Sequence, residues 1–151
     1  MKATIDTSIL LHLLRESPLV SHIREAFAEN DVDDTILLSI VSIGEIESIA
    51  IQQHYGKKKK NRLKDLIREF LVIPIQSLDL VEKYAEIDAY SQGKLEGKPL
   101  PKGMSSRNMG KNDLWIASTA AISGSILFSA DNDFQHLDGQ FFKCVYIDQN
   151  V

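Results

Sequence analysis

Residues 2–10 read Lys2-Ala3-Thr4-Ile5-Asp6-Thr7-Ser8-Ile9-Leu10. The first half, 2–6, has the short apolar character of a buried strand and stops at an acid. Thr7 or Ser8 can then cap a helix that carries Ile9, Leu10, Leu13 and Leu14. The same passage from strand to helix recurs along the chain. Thr35 to Ile40 is an apolar, β-branched run, and Ser42-Ile43-Gly44-Glu45 has capping-box spacing for a helix through Gln52. Leu71 to Ile75 reads as a strand, with Ser77 capping a helix through Ser91. Asn112-Asp113 opens a helix through Ile122, Ile126 to Ser129 is a further strand, and Cys144 to Ile147 is the last. Two more helices, from Pro18 to Glu29 and from Lys59 to Phe70, fill the remaining apolar-periodic stretches. Short continuous apolar strands alternating with amphipathic helices predict an α/β fold: a three-layer α/β/α sandwich with a mostly parallel central sheet.

The chain has 151 residues, the size of one domain, so a single domain over 1–151 is expected. An apolar fraction of 44% is enough for a real core. No apolar run approaches the roughly 18–20 residues that cross a bilayer. The acid at position 6 interrupts any signal-peptide core, and the lone Cys144 excludes an intramolecular disulfide and a cysteine zinc site. The expectation is a soluble, cytoplasmic protein with no membrane partner.

The net charge of −4 conceals a strong segregation. Segment 54–68 holds seven cations against Asp65, and segment 94–111 holds five (Lys94, Lys98, Lys102, Arg107, Lys111) against Glu96. The rest of the chain is acidic. Two basic strips on an acidic body are compatible with a polyanionic partner, although either strip could equally be a solvated face. Residues 93–111 also contain four glycines and two prolines, the composition of a mobile loop. A loop that long inside a small domain is usually functional or disordered.

In open α/β sheets ligands bind beyond the carboxyl ends of the strands. Asp6, Glu45, Asp113 and Asp131 all fall at such junctions, with Asp133 close behind Asp131. Each has an ordinary alternative: Glu45 as the far end of a capping box, Asp113 as a first-turn acid, Asp131 or Asp133 as a turn residue. Asp6 is harder to dismiss, because a carboxylate ending a buried strand is costly unless paired or metal-bound. Several carboxylates in one crevice call for a hard divalent cation, Mg²⁺ or Mn²⁺, held by oxygen ligands. The four histidines lack zinc-ligand spacing. A carboxylate-bound cation flanked by basic, flexible segments suggests phosphodiester hydrolysis.

The sequence resembles the PIN-domain ribonucleases, in particular the VapC-type toxins of toxin–antitoxin pairs. The residues that carry the resemblance are Ile5-Asp6-Thr7-Ser8, Ser42-Ile43-Gly44-Glu45-Ile46, Asn112-Asp113-Leu114-Trp115-Ile116-Ala117, and Leu127-Phe128-Ser129-Ala130-Asp131-Asn132-Asp133-Phe134. Their order and spacing match the family over essentially the whole chain. The resemblance implies a Mg²⁺- or Mn²⁺-dependent endoribonuclease with Asp6, Asp113 and Asp131 on the metal and Glu45 acting through water. It makes Thr7 or Ser8 the hydroxyl that orients a carboxylate or the scissile phosphate, and Asp133 a possible additional acid. Arg107, Lys111 and Asn112 are candidates for positioning the RNA. It also implies a small antitoxin covering the acidic crevice, and a homodimer. One departure is the stretch before Asp113, which is longer and more basic than the usual short turn.

Two further readings stay open: an RNA-processing PIN nuclease without an antitoxin, and a non-catalytic module that binds RNA or protein. Position 8 is Ser, which excludes the Asp-x-Asp of dehalogenase-type phosphatases, and no P-loop pattern is present.

Overall fold

A computed structural model describes residues 1–150. Five short strands form one parallel sheet: β1 (Ala3–Ile5), β2 (Ile36–Ser39), β3 (Leu71–Ile73), β4 (Ile126–Ser129) and β5 (Cys144–Tyr146). Their spatial order is β3-β2-β1-β4-β5. Six helices connect them: α1 (Thr7–Arg15), α2 (Val20–Glu29), α3 (Ile40–Gln52), α4 (Lys57–Ile67), α5 (Leu78–Ser91) and α6 (Lys111–Ser123). A 3₁₀ turn, Asn132–Leu137, lies between β4 and β5.

β1 is the centre of the sheet, with Ile5 in register with Leu38 on one side and Phe128 on the other. All three of its residues are fully buried, and the one polar side chain among them, Thr4, is satisfied by the Ser125 hydroxyl at 2.6 Å. Ala3, Ile5, Ile126 and Phe128 face one layer, packing on Ile9 and Leu10 of α1, Ile23 of α2 and Leu63 of α4. Leu127 faces the other layer, with Ile87 and Tyr90 of α5, Leu114 and Ala117 of α6, and Phe134 of the 3₁₀ turn. The expected three-layer sandwich is therefore formed, with every strand pair parallel. No helix among the described residues is long and apolar enough to cross a membrane.

The helix starts differ from the sequence reading in an instructive way. α1 is capped by Asp6 itself, whose side chain accepts from the Ile9 N–H, not by Thr7 or Ser8. α3 begins at Ile40, because the Ser39 hydroxyl already accepts from the Val41 N–H. That earlier start places Ser42 inside the helix, so the expected capping box does not form and Glu45 lies beyond the first turn. α6 is entered from Gly110 rather than capped by Asn112 or Asp113, and Asp113 keeps its expected first-turn position. Elsewhere boundaries shift by a few residues: α2 starts at Val20, α4 runs from Lys57 to Ile67, and β3 stops before Pro74.

Candidate active site

Connections from β1 lead outward to β2 and β3, then the chain crosses back to lay β4 on the other side of β1. The crevice beyond the carboxyl ends of β1 and β4 is the switch point of this sheet. Asp6 and Asp131 follow those two strands, and α3 and α6, which pack on each other, bring in Glu45 and Asp113.

Asp6 is the most completely held of these acids. Its Oδ1 accepts from the Ser8 hydroxyl at 2.6 Å and the Ile9 N–H at 3.0 Å, while its Oδ2 accepts from the Ser129 hydroxyl. Burial nevertheless pushes its pKa up to about 6; these three hydrogen bonds oppose the rise, and Asp131 adds to it. Ser8 also receives the Ala130 N–H at 3.0 Å, and Ser129 receives the Asp131 N–H at 2.9 Å. The two hydroxyls therefore tie the ends of β1 and β4 together through one carboxylate.

Glu45 is freed by the shifted helix start. The Thr7 hydroxyl lies 3.0 Å from both Glu45 Oε1 and Ser42 Oγ. Having one hydrogen, it donates best to the carboxylate, the stronger acceptor, and leaves Ser42 to donate to Thr7.

Asp113 is built the other way. Its pKa is pushed up to about 7, first by burial and then by the charges of Asp133, Glu45, Asp6 and Asp131, with no hydrogen bond to offset them. Asp131 is also raised, by burial and by Asp133, and His12 opposes the rise. Gln149 completes this edge, its Nε2 3.5 Å from Asp131 Oδ1 and its Oε1 3.3 Å from His12 Nε2. Among the described residues no three Asp, Glu, His or Cys side chains close on one point as a finished metal cage. The acids stand within electrostatic reach of one another instead.

The structure thus gathers Asp6, Glu45, Asp113, Asp131 and Asp133, with Thr7 and Ser8 as hydroxyl partners. Asn112 lines a cleft with Glu45, Ser48 and Val41, and Lys111 is exposed at the head of α6. Arg107 stands apart. Its charge bears on His136, and it lies with Gln92, Lys94, Ser106 and Asn108, none of them an acid. Asp133 weighs on Asp113 more heavily than Asp131 does, although the sequence favours Asp131.

Sequence reasoning missed Ser129, which had the same signal as Asp6: a polar residue closing a buried strand. It also missed Gln149 and the buried pair Ser91–His136, joined at 2.8 Å across 45 residues of chain. Nothing local marks either.

Could these acids hold a metal? All donors are oxygens, no hydrogen bond or ion pair among the described residues reaches Asp113, and four other carboxylates add to the effect of burial on it. That is the chemistry a hard divalent cation relieves.

A sequence model of the PIN domain matches residues 3–140. No curated protein sequence gives a match. Among solved structures, the chain is similar to a chain of VapBC2 from Rickettsia felis bound to a promoter DNA fragment, with TM-score 0.73 and 19% identity over 98% of this chain and 100% of that one. It is also similar to a chain of a toxin–antitoxin complex from Klebsiella pneumoniae, with TM-score 0.66 and 20% identity over 97% and 98%. A third is VapBC-1 from nontypeable Haemophilus influenzae, with TM-score 0.69 and 18% identity over 97% and 98%. At these identities the likeness is one of fold.

Proposed function

The chain belongs to the PIN-domain family, a family of nucleases, and from that premise we propose that it is a divalent-metal-dependent endoribonuclease of the VapC type. The observation that carries this reading is Asp113, half-buried and unpartnered within reach of four other carboxylates. Asp6, Asp113 and Asp131 would hold Mg²⁺ or Mn²⁺, and the proximity of Asp133 to Asp113 adds it to that set. A cation there supplies acidity to a bound water and neutralises charge on phosphate oxygens.

The rest of the work falls to the chain. Ser8 and Ser129 fix the orientation of Asp6. Thr7 holds Glu45, which has no capping duty and is free to accept a proton from water. Asn112 and Lys111, beside Glu45 and Asp113, contact the substrate, and Arg107 reaches RNA farther from the acids. RNA cleaved at one phosphodiester bond is the expected product.

Two partnerships belong to the same reading. The structural neighbours are toxin–antitoxin complexes, so a small antitoxin covering the crevice is the fitting regulator, and the cytoplasm is the fitting setting. Exposed Leu71, Ile75, Leu78, Val81 and Ile122 gather near the β3 edge around an apolar cleft lined by Ile73, Pro74 and Leu80. Such a face suits a homodimer.

The test is cleavage of total RNA by purified protein with Mg²⁺ or Mn²⁺, against EDTA and Asp6→Asn controls. Discrete fragments that vanish in both controls are expected. Full activity in Asp6→Asn would sink the site assignment, and absence of metal binding would favour a non-catalytic module.

A further inference from the structure

The segment between α5 and α6 is irregular, as its composition requires, but it is tied to the core at both ends. On the near side Gly93 N–H and Lys94 N–H donate to Tyr90 and Ala89 carbonyls at 2.9 and 2.8 Å. On the far side the Arg107 N–H donates to the Ser91 carbonyl at 2.8 Å. Ser91 itself is fully buried; its hydroxyl lies 2.8 Å from His136 Nε2 and 3.3 Å from Met109 Sδ. Leu95, Leu100 and Met109 pack on the α5–α6 core. The two arms meet at Gly93, which has φ +72°, and a Cβ there would stand 3.4 Å from Leu100 Cδ1 and 3.8 Å from Ser106 Cβ.

Between these arms lies a pocket lined by Gln92, Lys94, Ser106, Arg107 and Asn108. No acid lines it. Asp88, one turn below, is occupied by the Gln92 amide at 3.0 Å. By contrast Lys98 of the same loop is spent, bonded to the Gln140 carbonyl and lying over Phe141. Lys94 and Arg107 have no ion-pair partner among the described residues. An ammonium, a guanidinium, a hydroxyl and an amide around one small concavity are the donor set of a phosphate site. The pocket shares no lining residue with the clefts that take in Glu45, Asn112 and Asp131.

We propose that Lys94, Ser106, Arg107 and Asn108 form a pocket for a backbone phosphate of single-stranded RNA lying away from the scissile bond. This rests on the nuclease reading above. Its consequence is a substrate held at two places, by the metal-side acids at the cleaved phosphate and by this pocket at another.

Binding of a labelled uridine oligonucleotide of about 12 nucleotides, in EDTA, tests it by fluorescence anisotropy over a salt series. The double variant Lys94→Ala/Arg107→Ala should weaken binding about 10-fold or more. It should also reduce the salt slope by about 0.7 for each RNA phosphate that is no longer neutralised. A charge-matched control, Lys2→Ala/Lys143→Ala, removes two cations from the amino ends of β1 and β5 and should lose far less. Arg107→Lys keeps the charge, loses the fork and should fall between, which guards against a folding defect in the double variant. Equal losses in the two double variants, or none in either, would overturn the pocket. If the wild-type chain cleaves RNA while the loop variant binds it normally, only the pocket fails. If the wild-type chain neither binds nor cleaves RNA, the nuclease reading falls and takes the pocket with it.

Discussion

The junction after β1 and the junction before α6 each deliver one carboxylate to the same crevice, and they do so by opposite construction. Asp6 caps its helix and is gripped by Ser8, Ser129 and the Ile9 amide. Asp113 sits on the first turn of α6 with no hydrogen bond among the described residues, and burial and four other acids raise its pKa. One junction would stand on its own as structure. The other is a local cost that stability alone does not explain, and such costs concentrate where function needs them. The acid that a stability argument cannot justify is therefore the better marker of the site.

The largest expected effect breaks the comparison by activity. Asp6→Asn and Asp113→Asn should each lower RNA cleavage by ~1000-fold or more, since each removes charge from the metal-side set. Stability then separates them. Without metal, Asp6→Asn should lower Tm, because an amide nitrogen replaces one acceptor oxygen of a buried carboxylate that now holds three donors. Asp113→Asn should raise Tm at neutral pH by about 2–4 °C, the effect of ~1 kcal/mol in a chain of this size. Differential scanning fluorimetry in EDTA decides it; a loss of stability in Asp113→Asn would mean that Asp113 has partners after all. Added Mg²⁺ should reverse the order, stabilising the wild type and leaving Asp113→Asn almost unmoved.

The pH dependence follows from the same contrast. Asp113 has a folded pKa of about 7 against 3.8 when unfolded, so the native state holds a proton that the unfolded chain has released. Its contribution is full below 3.8 and is lost as pH rises through 7. Asp6 behaves alike up to about 6. His136 runs the opposite way: burial and Arg107 lower its pKa from 6.5 to about 4, so it adds stability as pH rises through that window. Above 6.5 the Asp113 effect is left largely unopposed. Metal-free wild type should therefore lose Tm between about pH 6.5 and 8, and Asp113→Asn should not. An equal decline in both proteins would remove Asp113 as the cause.

The fold was legible because its central strands are buried on both faces, which leaves continuous apolar runs such as Ile36–Leu38 and Ile126–Phe128. The carboxyl ends of those runs point directly to the acids. Helix starts were less legible, because several side chains competed to cap each one. Ser39 pre-empts Ser42, and Asp6 pre-empts Thr7 and Ser8, since whichever oxygen reaches the first free amide takes the role. The error mattered functionally, for it hid the bond between Thr7 and Glu45. Of the bonds made only by closure of the fold, Ser91 on His136 left no local trace, and Ser129 on Asp6 was marked only by a polar residue closing a buried strand. Arg107 was grouped with the acids by nearness in sequence, but the loop carries it to its own pocket.

A second comparison, between the two basic strips, carries the smallest effect. In the strip on α4, Arg62 reaches the Leu14 carbonyl and Glu16, Arg68 pairs with Asp65, and Lys59 lies 4.0 Å over the Tyr55 ring. Those side chains serve the fold or its surface. Lys57, Lys58 and Lys60 are exposed at the head of α4 with no ion-pair partner among the described residues, so each is a solvated point charge. Their attraction to RNA is diffuse, so screening and side-chain entropy consume most of it. Replacing all three with Ala should weaken oligonucleotide binding by about threefold at physiological salt and flatten the salt dependence slightly. That is less than the loss expected from two substitutions at Lys94 and Arg107, although more charge is removed. A larger loss from the α4 variant would mean that RNA follows α4 across the mouth of the crevice. An unchanged salt slope would make the strip a solvated face and leave the pocket between α5 and α6 as the principal cationic contact.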